Sequence, residues 1–308
     1  MKYRRLGKTN LKVSVVGIGT YQYGGEWGKD FTSGEVKEIL ERGNDLGINL
    51  IDTAECYGDH LSEALIGEAL KGNREKWVIG TKFGHRFKPS FGREQIWDAK
   101  GVIKQLEDSL KALQTDYVDL YMFHSCTNDE LNNDELWTAL HKQVEAGKIR
   151  HLALSLKPVI TDNLYQTETA SKLGAEAIEI VYNRLDRGPE KEVFPFCAKN
   201  DLGILARVPL ASGFLSGKYK PGAQFPESDV RSVQDRIAMD LRLKEVEEIR
   251  NKEVSKDMDM AQWAIAWCLQ HDSVSACIPG YKSIKHLESA VRAADMDMVS
   301  DKHPQAWR

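Results

Sequence analysis

The sequence predicts a closed (β/α)8 barrel, and three observations predict it. From residue 14 onward, short β-branched or apolar runs alternate with longer stretches of helical period. Eight such units can be counted. The 308-residue length suits that fold with long loops added. A doubly wound open sheet is the structural alternative, and one domain over residues 1–308 is expected.

In chain order, LGKTN within the opening KYRRLGKTNLKV reads as a hairpin turn, giving an N-terminal β-hairpin. The predicted barrel strands are VSVVGIG (14–20), INLIDT (48–53), WVIGTK (77–82), VDLYMFH (118–124), IRHLALS (149–155), AIEIVYN (177–183), GILARVP (203–209) and SVSACIP (273–279). Between them lie amphipathic segments such as 101–113, where Val102, Leu106, Leu110 and Leu113 share one helical face and can cover a strand. Residues 83–97 and 211–240 are longer than a minimal unit needs and rich in Gly, Pro, charge and aromatics. Both follow strands, which places them as loops walling the C-terminal face, where barrel active sites lie.

A formal net charge of −4 with 29% charged residues offers no field favouring nucleic acid or an anionic membrane. A small-molecule partner is the expectation, and the oligomeric state is left open. Five scattered cysteines without a C-x-x-C pair argue against a disulfide framework. With no apolar core for a signal peptide in MKYRRLGKTN and no bilayer-length apolar run, the expected location is the cytoplasm.

On a barrel, Asp52 ends the second strand, Tyr57 follows in its loop, Lys82 ends the third and His124 the fourth. All four then face one pocket. A phenol titrating near ~10 holds its proton at neutral pH. A neighbouring Lys82 ammonium would draw that pKa down, and Asp52 would keep the lysine charged and fixed. His124 could donate a hydrogen bond to a carbonyl oxygen beside Tyr57, so that hydride arrival generates an alkoxide already facing donors. Protonation by Tyr57 completes a reduction.

The same residues resemble the aldo-keto reductases, whose barrel carries Asp, Tyr, Lys and His in this order. The resemblance runs through KYRRLGKTNLKVSVVGIGT, IDTAECYGDHLSEALIGEAL, GTKFG, DYVDLYMFH, VYNRLDR, PLASGFLSGKY and IPGYKS. It implies reversible reduction of an aldehyde or ketone by NADP(H), with NAD(H) as the alternative, Tyr57 as general acid/base, and Lys82, Asp52 and His124 supporting it. GIGTYQ has Gln22 where a dinucleotide fingerprint needs its third glycine, and GKT lacks the leading glycine of a phosphate loop because Lys2 stands there. The family it resembles binds nicotinamide without that fingerprint.

By resemblance, Leu210 to Lys218, including Ser212, would hold the pyrophosphate, and Lys282 with Ser283 would meet the 2′-phosphate. Ser155, Glu179 and Arg207 would surround the nicotinamide. This chain departs from the family pattern at Leu156, Glu179, Arg207 and the pair Ser289 and Ala290. Arg207 is expected to pair with Glu179 and lie against the nicotinamide. Trp27 would line the substrate pocket with His85, Arg86, Phe87 and Lys88, while Phe91 and Trp97 could fold over it. That wall suits a sugar, a polyol or a small polar carbonyl compound.

The rival readings are a polyol or sugar dehydrogenase working oxidatively, a slow-turnover redox-sensing regulatory subunit, and a metal-dependent barrel hydrolase. The early strands lack the H-x-H pair the last would need, and no metal ligands are assigned.

Overall fold

The computed structural model describes residues 1–158 and 160–296. Strands β1 (Tyr3–Arg5) and β2 (Lys12–Ser14) form the expected antiparallel hairpin. Its turn uses Gly7 at φ +50, where a Cβ would strike the Gly203 backbone, so the hairpin seals the N-terminal end of the barrel at close range.

The barrel strands are β3 (Ile18–Gly19), β4 (Leu50–Asp52) and β5 (Val78–Phe83), then, after the β6 (His85–Lys88) and β7 (Gly92–Gln95) pair, β8 (Val118–His124), β9 (Ile149–Ser155), β10 (Ala177–Val181), β11 (Gly203–Arg207) and β12 (Ala276–Ile278). They run β3-β4-β5-β8-β9-β10-β11-β12, with every neighbouring pair parallel. The seam between first and last closes through parallel bridges Val16–Cys277 and Gly19–Gly280. This is the predicted (β/α)8 barrel.

The covering helices are α1 (Ser33–Asp45), α2 (Leu61–Ala69), α3 (Ala99–Leu113), α4 (Asn128–Leu131), α5 (Asp134–Glu145), α6 (Asn163–Lys172), α7 (Val193–Lys199), α8 (Arg236–Lys252), α9 (Met260–Leu269) and α10 (Ile284–Ala293). Local sequence sets many starts. Thr32 and Glu35 make a reciprocal capping box on α1, and Asp98, Asn133, Asp235, Asp259 and Ser283 accept from first-turn amides of their helices. Val102, Leu106, Leu110 and Leu113 are all buried, as their spacing predicts.

Only the runs 118–124 and 149–155 keep their expected bounds, and two of the differences bear on how the barrel is built. The run 14–20 is divided, since Ser14 belongs to the hairpin and only Ile18–Gly19 form regular barrel strand. The run 203–209 stops at Arg207 because Val208 takes a left-handed φ of +57 and cannot continue a strand. The expected loop 83–97 contains a two-stranded ribbon, β6 paired with β7, turned by Ser90 and Phe91 at φ +58 and +63.

Apolar residues divide between two cores. Leu50, Leu120, Met122, Ala153, Ala177, Leu205, Ala276 and Ile278 pack together with Leu6 and Val13 inside the barrel, while Ile51, Ile79, Tyr121, Phe123, Leu154, Ile178 and Ile204 join the layer beneath the helices. Strand side chains alternate with period two. Counting onward from the interior set, Asp52, Lys82, His124, Ser155, Glu179 and Arg207 all take inward positions at the C-terminal ends of their strands.

Candidate active site

Lys82, fully buried, stands at the centre of this ring. Its Nζ donates to Asp52 Oδ1 at 2.5 Å and to the Thr53 carbonyl at 2.9 Å, reaches Tyr57 Oη at 3.4 Å, and lies 3.4 Å from Glu179 Oε2. The Tyr57 loop is pinned from below. Gly24 lies so close that a Cβ there would meet the Tyr57 carbonyl carbon at 2.6 Å, and Ser62 N donates to the Tyr57 carbonyl. Thr20, Ser62 and Thr53 link hydroxyls behind it, with Thr20 Oγ1 donating to the Asp52 carbonyl.

Electrostatics bear out one expectation, Asp52 holding the lysine charged, and correct another. Burial and the neighbouring Glu179 raise the Asp52 carboxyl well above the usual range, outweighing Lys82. Burial also opposes ionisation of Glu179, but Lys82, Arg207 and a hydrogen bond from Asp52 outweigh it and hold that carboxyl low. Lys82 thus sits between two interacting carboxyls, bonded to Asp52 and close to Glu179, and both acids favour its charged form. Both acids raise the Lys82 ammonium against the effect of burial, so the charge is tolerated in the interior.

Lys82 does pull the Tyr57 phenol down, as expected, yet burial comes first, and with Asp52 and Glu179 adding to it the net direction is upward. Tyr57 is thus a firmly protonated donor, not an acidified one. His124 is uncharged, its pKa driven well below the ordinary imidazole value by burial and by His85, Lys82 and Arg207. The Tyr57 and His124 rings meet edge-on at 6.2 Å.

Arg207 takes the predicted place beside Glu179, with Nε 3.6 Å from Oε1 and Nη2 donating to the Leu156 carbonyl at 2.7 Å. Ser155 Oγ donates to Glu179 Oε1 at 2.9 Å. Beyond β11 the chain turns through left-handed Val208, Ala211, Ser212 and Gly213, with Leu210 accepting from the Gly213 amide and Lys218 exposed at the end of the turn. Ser283 caps α10, and Lys282 Nζ donates to the Trp27 carbonyl at 2.6 Å. Ser289 Oγ donates to Asp259 at the start of α9, and Ala290 is buried.

The pocket wall differs from the predicted one. On the β6–β7 ribbon, His85 and Phe87 take one face, half-buried, while Arg86 and Lys88 are exposed on the other and pair with Glu94. Those two cations therefore do not line the pocket, because period two sends them outward. Trp97 does not fold over it either. It is buried, stacking on Phe123 at 6.2 Å beneath the ribbon.

On the face of the ribbon that His85 and Phe87 share, the cation is Arg93, held bidentately by Glu26 at 2.5 and 3.1 Å. Trp27 stands between the Tyr21 edge at 5.9 Å and the Arg231 guanidinium at 4.8 Å. Arg231, gripped by Asp229, also faces Phe225 and Tyr219. The loop after β3 and the long loop after β11 thus meet over one end of the site, through a Trp27–Asp229 bridge and a Val230-to-Glu26 backbone bond.

The fold and this strand-end cluster define a (β/α)8 barrel that presents a protonated tyrosine on a buried lysine. The Aldo/keto reductase family model matches residues 15–307, and the chain belongs to that family of oxidoreductases. It is 31% identical over 92% of its length to an NADP(+) aldo-keto reductase of Schizosaccharomyces pombe, 84% of which is covered. An uncharacterized oxidoreductase of Bacillus subtilis, YqkF, is 29% identical across 99% of this chain and 95% of its own. Among solved structures, an aldo-keto reductase from Bacillus halodurans in its holo form superposes with a TM-score of 0.82 at 30% identity, covering 99% of this chain and 94% of that one. Among the described residues no helix is long and apolar enough to cross a membrane.

Proposed function

We propose that this protein is an NADP(H)-dependent oxidoreductase that interconverts a small polar aldehyde or ketone, of the sugar type, with its alcohol. Tyr57 serves as general acid in reduction and general base in oxidation. The observation that carries this is the Tyr57 hydroxyl, 3.4 Å from the ammonium of a lysine committed to two buried carboxyls, next to an uncharged imidazole.

The residues present fit a nicotinamide dinucleotide. Glu179 Oε2 and Arg207 Nε are buried at the strand ends without a hydrogen-bond partner. The left-handed turn through Ser212 gives a backbone suited to anions, and α10 begins at Lys282 and Ser283. In this reading Ser155, Glu179 and Arg207 face the nicotinamide, Leu210, Ser212 and Lys218 the pyrophosphate, and Lys282 and Ser283 the 2′-phosphate. When bound, the reduced cofactor supplies the hydride.

The protein's own part is positional and protonic. His124 orients the carbonyl oxygen toward Tyr57 Oη, whose proton passes to that oxygen as negative charge develops on it. Lys82 then stabilises the phenolate left behind, and its fixed bonds to Asp52 and the Thr53 carbonyl limit the rearrangement needed. Trp27, His85 and Phe87 exclude water from the reacting carbon.

Fluorescence titration with NADPH and NADH, followed by a screen of sugars, polyols and simple aldehydes for cofactor turnover, tests the reading. NADPH is expected to bind more tightly and a polar carbonyl to be reduced. Absence of binding to either nucleotide overturns it. For Arg207→Tyr, the ratio of NADP+ to NADPH dissociation constants should fall, because the guanidinium disfavours the cationic oxidised ring. An unchanged ratio removes that role from Arg207.

A further inference from the structure

Cys56, His85 and His124 come from three different elements and converge on one rim. The Cys56 sulfur lies 3.7 Å from His124 Nδ1, the two imidazoles stack at 4.5 Å with 27° between planes, and one ligand atom from each residue lies within 4.8 Å of the others. We propose that these three side chains form a binding site for a zinc ion, placed beside Tyr57.

The geometry suits that metal. Tetrahedral zinc with bonds of about 2.3 Å to sulfur and 2.0–2.1 Å to nitrogen sets its S and N ligands roughly 3.5 Å apart. The Cys56–His124 separation is already close to this. His85 closes the remaining gap by rotating on its ribbon, where no hydrogen bond from its ring to another described residue must be broken first. A thiol with two imidazoles is a soft to borderline donor set that selects zinc over magnesium or calcium, and three protein ligands leave the fourth position to water.

The nearby cations do not forbid it. Lys82 is paired with Asp52 and Glu179, Arg207 with Glu179, and Arg93 with Glu26. On binding, the Cys56 S–H bond breaks, its proton leaves to solvent, and the sulfur lone pair forms the bond to zinc, so the site gains a single positive charge. Glu55, buried behind Cys56, adds a carboxyl whose Oε2 has no hydrogen-bond partner.

Since His124 is also the residue proposed to orient the carbonyl, a zinc ion bound to it should compete with the carbonyl and not with the nucleotide. That consequence rests on the proposed activity. Binding itself does not, and is read without turnover. Cobalt(II), then zinc, is titrated into the reduced, cofactor-free protein. Expected are one ion per chain, a thiolate-to-cobalt charge-transfer band displaced by zinc, loss of the band in Cys56→Ser, and at least tenfold weaker zinc binding in His85→Ala. Cys126→Ser and Tyr57→Phe should keep the band. No thiolate band, a band that survives Cys56→Ser, or unchanged zinc affinity in His85→Ala overturns the proposal. Should Cys56→Ser fail to fold, His85→Ala on its half-buried ribbon decides alone.

Discussion

The strand-end cluster and the loops above it are built in opposite ways. In the cluster, Asp52, Lys82, Glu179 and Ser155 are buried and bonded chiefly to one another, on strands whose register fixes them. In the loops, Arg93, Glu26, Trp27, Arg231 and Lys282 are joined by contacts between segments that lie outside the barrel sheet. The difference assigns the tasks. A proton donor needs a fixed, substrate-independent environment, which the sheet supplies, whereas substrate choice can vary with the loops at little cost to the barrel.

Breaking the cluster should produce the largest effects. Lys82→Met leaves two buried carboxyls facing a phenol without their cation. Turnover is expected to fall at least about 10³-fold and stability by roughly 3–5 kcal/mol, measured by steady-state kinetics and denaturant unfolding. A variant as stable and active as the parent would show that Lys82 and its two acids do not matter.

Glu179→Gln sharpens the division within the cluster. The raised Tyr57 pKa predicts alcohol oxidation that climbs with pH without a plateau below about pH 10, since the phenolate is the base. Removing the Glu179 charge should bring this profile down by about one pH unit. The reductive rate at neutral pH should stay flat in both proteins.

Cutting the loop contact should act on the other side of the comparison. Arg93→Ala frees Glu26 and the ribbon, and KM for the carbonyl should rise about tenfold with kcat changed less than about threefold. Equal losses in kcat and kcat/KM would instead place Arg93 in the proton-transfer machinery.

The smallest effect expected is on stability against pH. Burial, with Arg93 and Lys157 adding to it, lowers His85 from 6.5 to about 4, so between those values the unfolded chain binds a proton that the folded chain does not. Stability should therefore fall as pH drops through this window, by at most about 3 kcal/mol. His85→Asn should flatten that slope in urea unfolding, and an unchanged slope would remove His85 as its source.

What the sequence revealed follows the same division. Their positions at the ends of apolar runs carried Asp52, Lys82 and His124 to this rim, because the end of one strand suffices to place each of them. Glu179 as a second acid beside Lys82 was not legible, since it depends on closure across the barrel. The reading that paired Lys82 with Asp52 alone therefore overstated the pull on Tyr57. Val208 looked like strand because its side chain suits one, although its φ is left-handed. The ribbon turn at Pro89-Ser90-Phe91-Gly92 carries none of the Asn-Gly signal that marks a tight hairpin. Without the ribbon, Arg86 and Lys88 could not be assigned outward nor His85 inward onto His124. Arg231 and Glu26 gave no signal either, because their partners lie in other loops.

The central claim is that Tyr57 hands its proton to the nascent alkoxide. Single-turnover hydride transfer, comparing Tyr57→Phe with the parent at saturating NADPH, tests it most directly. The rate constant should be lower by at least about 10³-fold in Tyr57→Phe, with NADPH affinity within about twofold. Hydride transfer at the parental rate in Tyr57→Phe would contradict it.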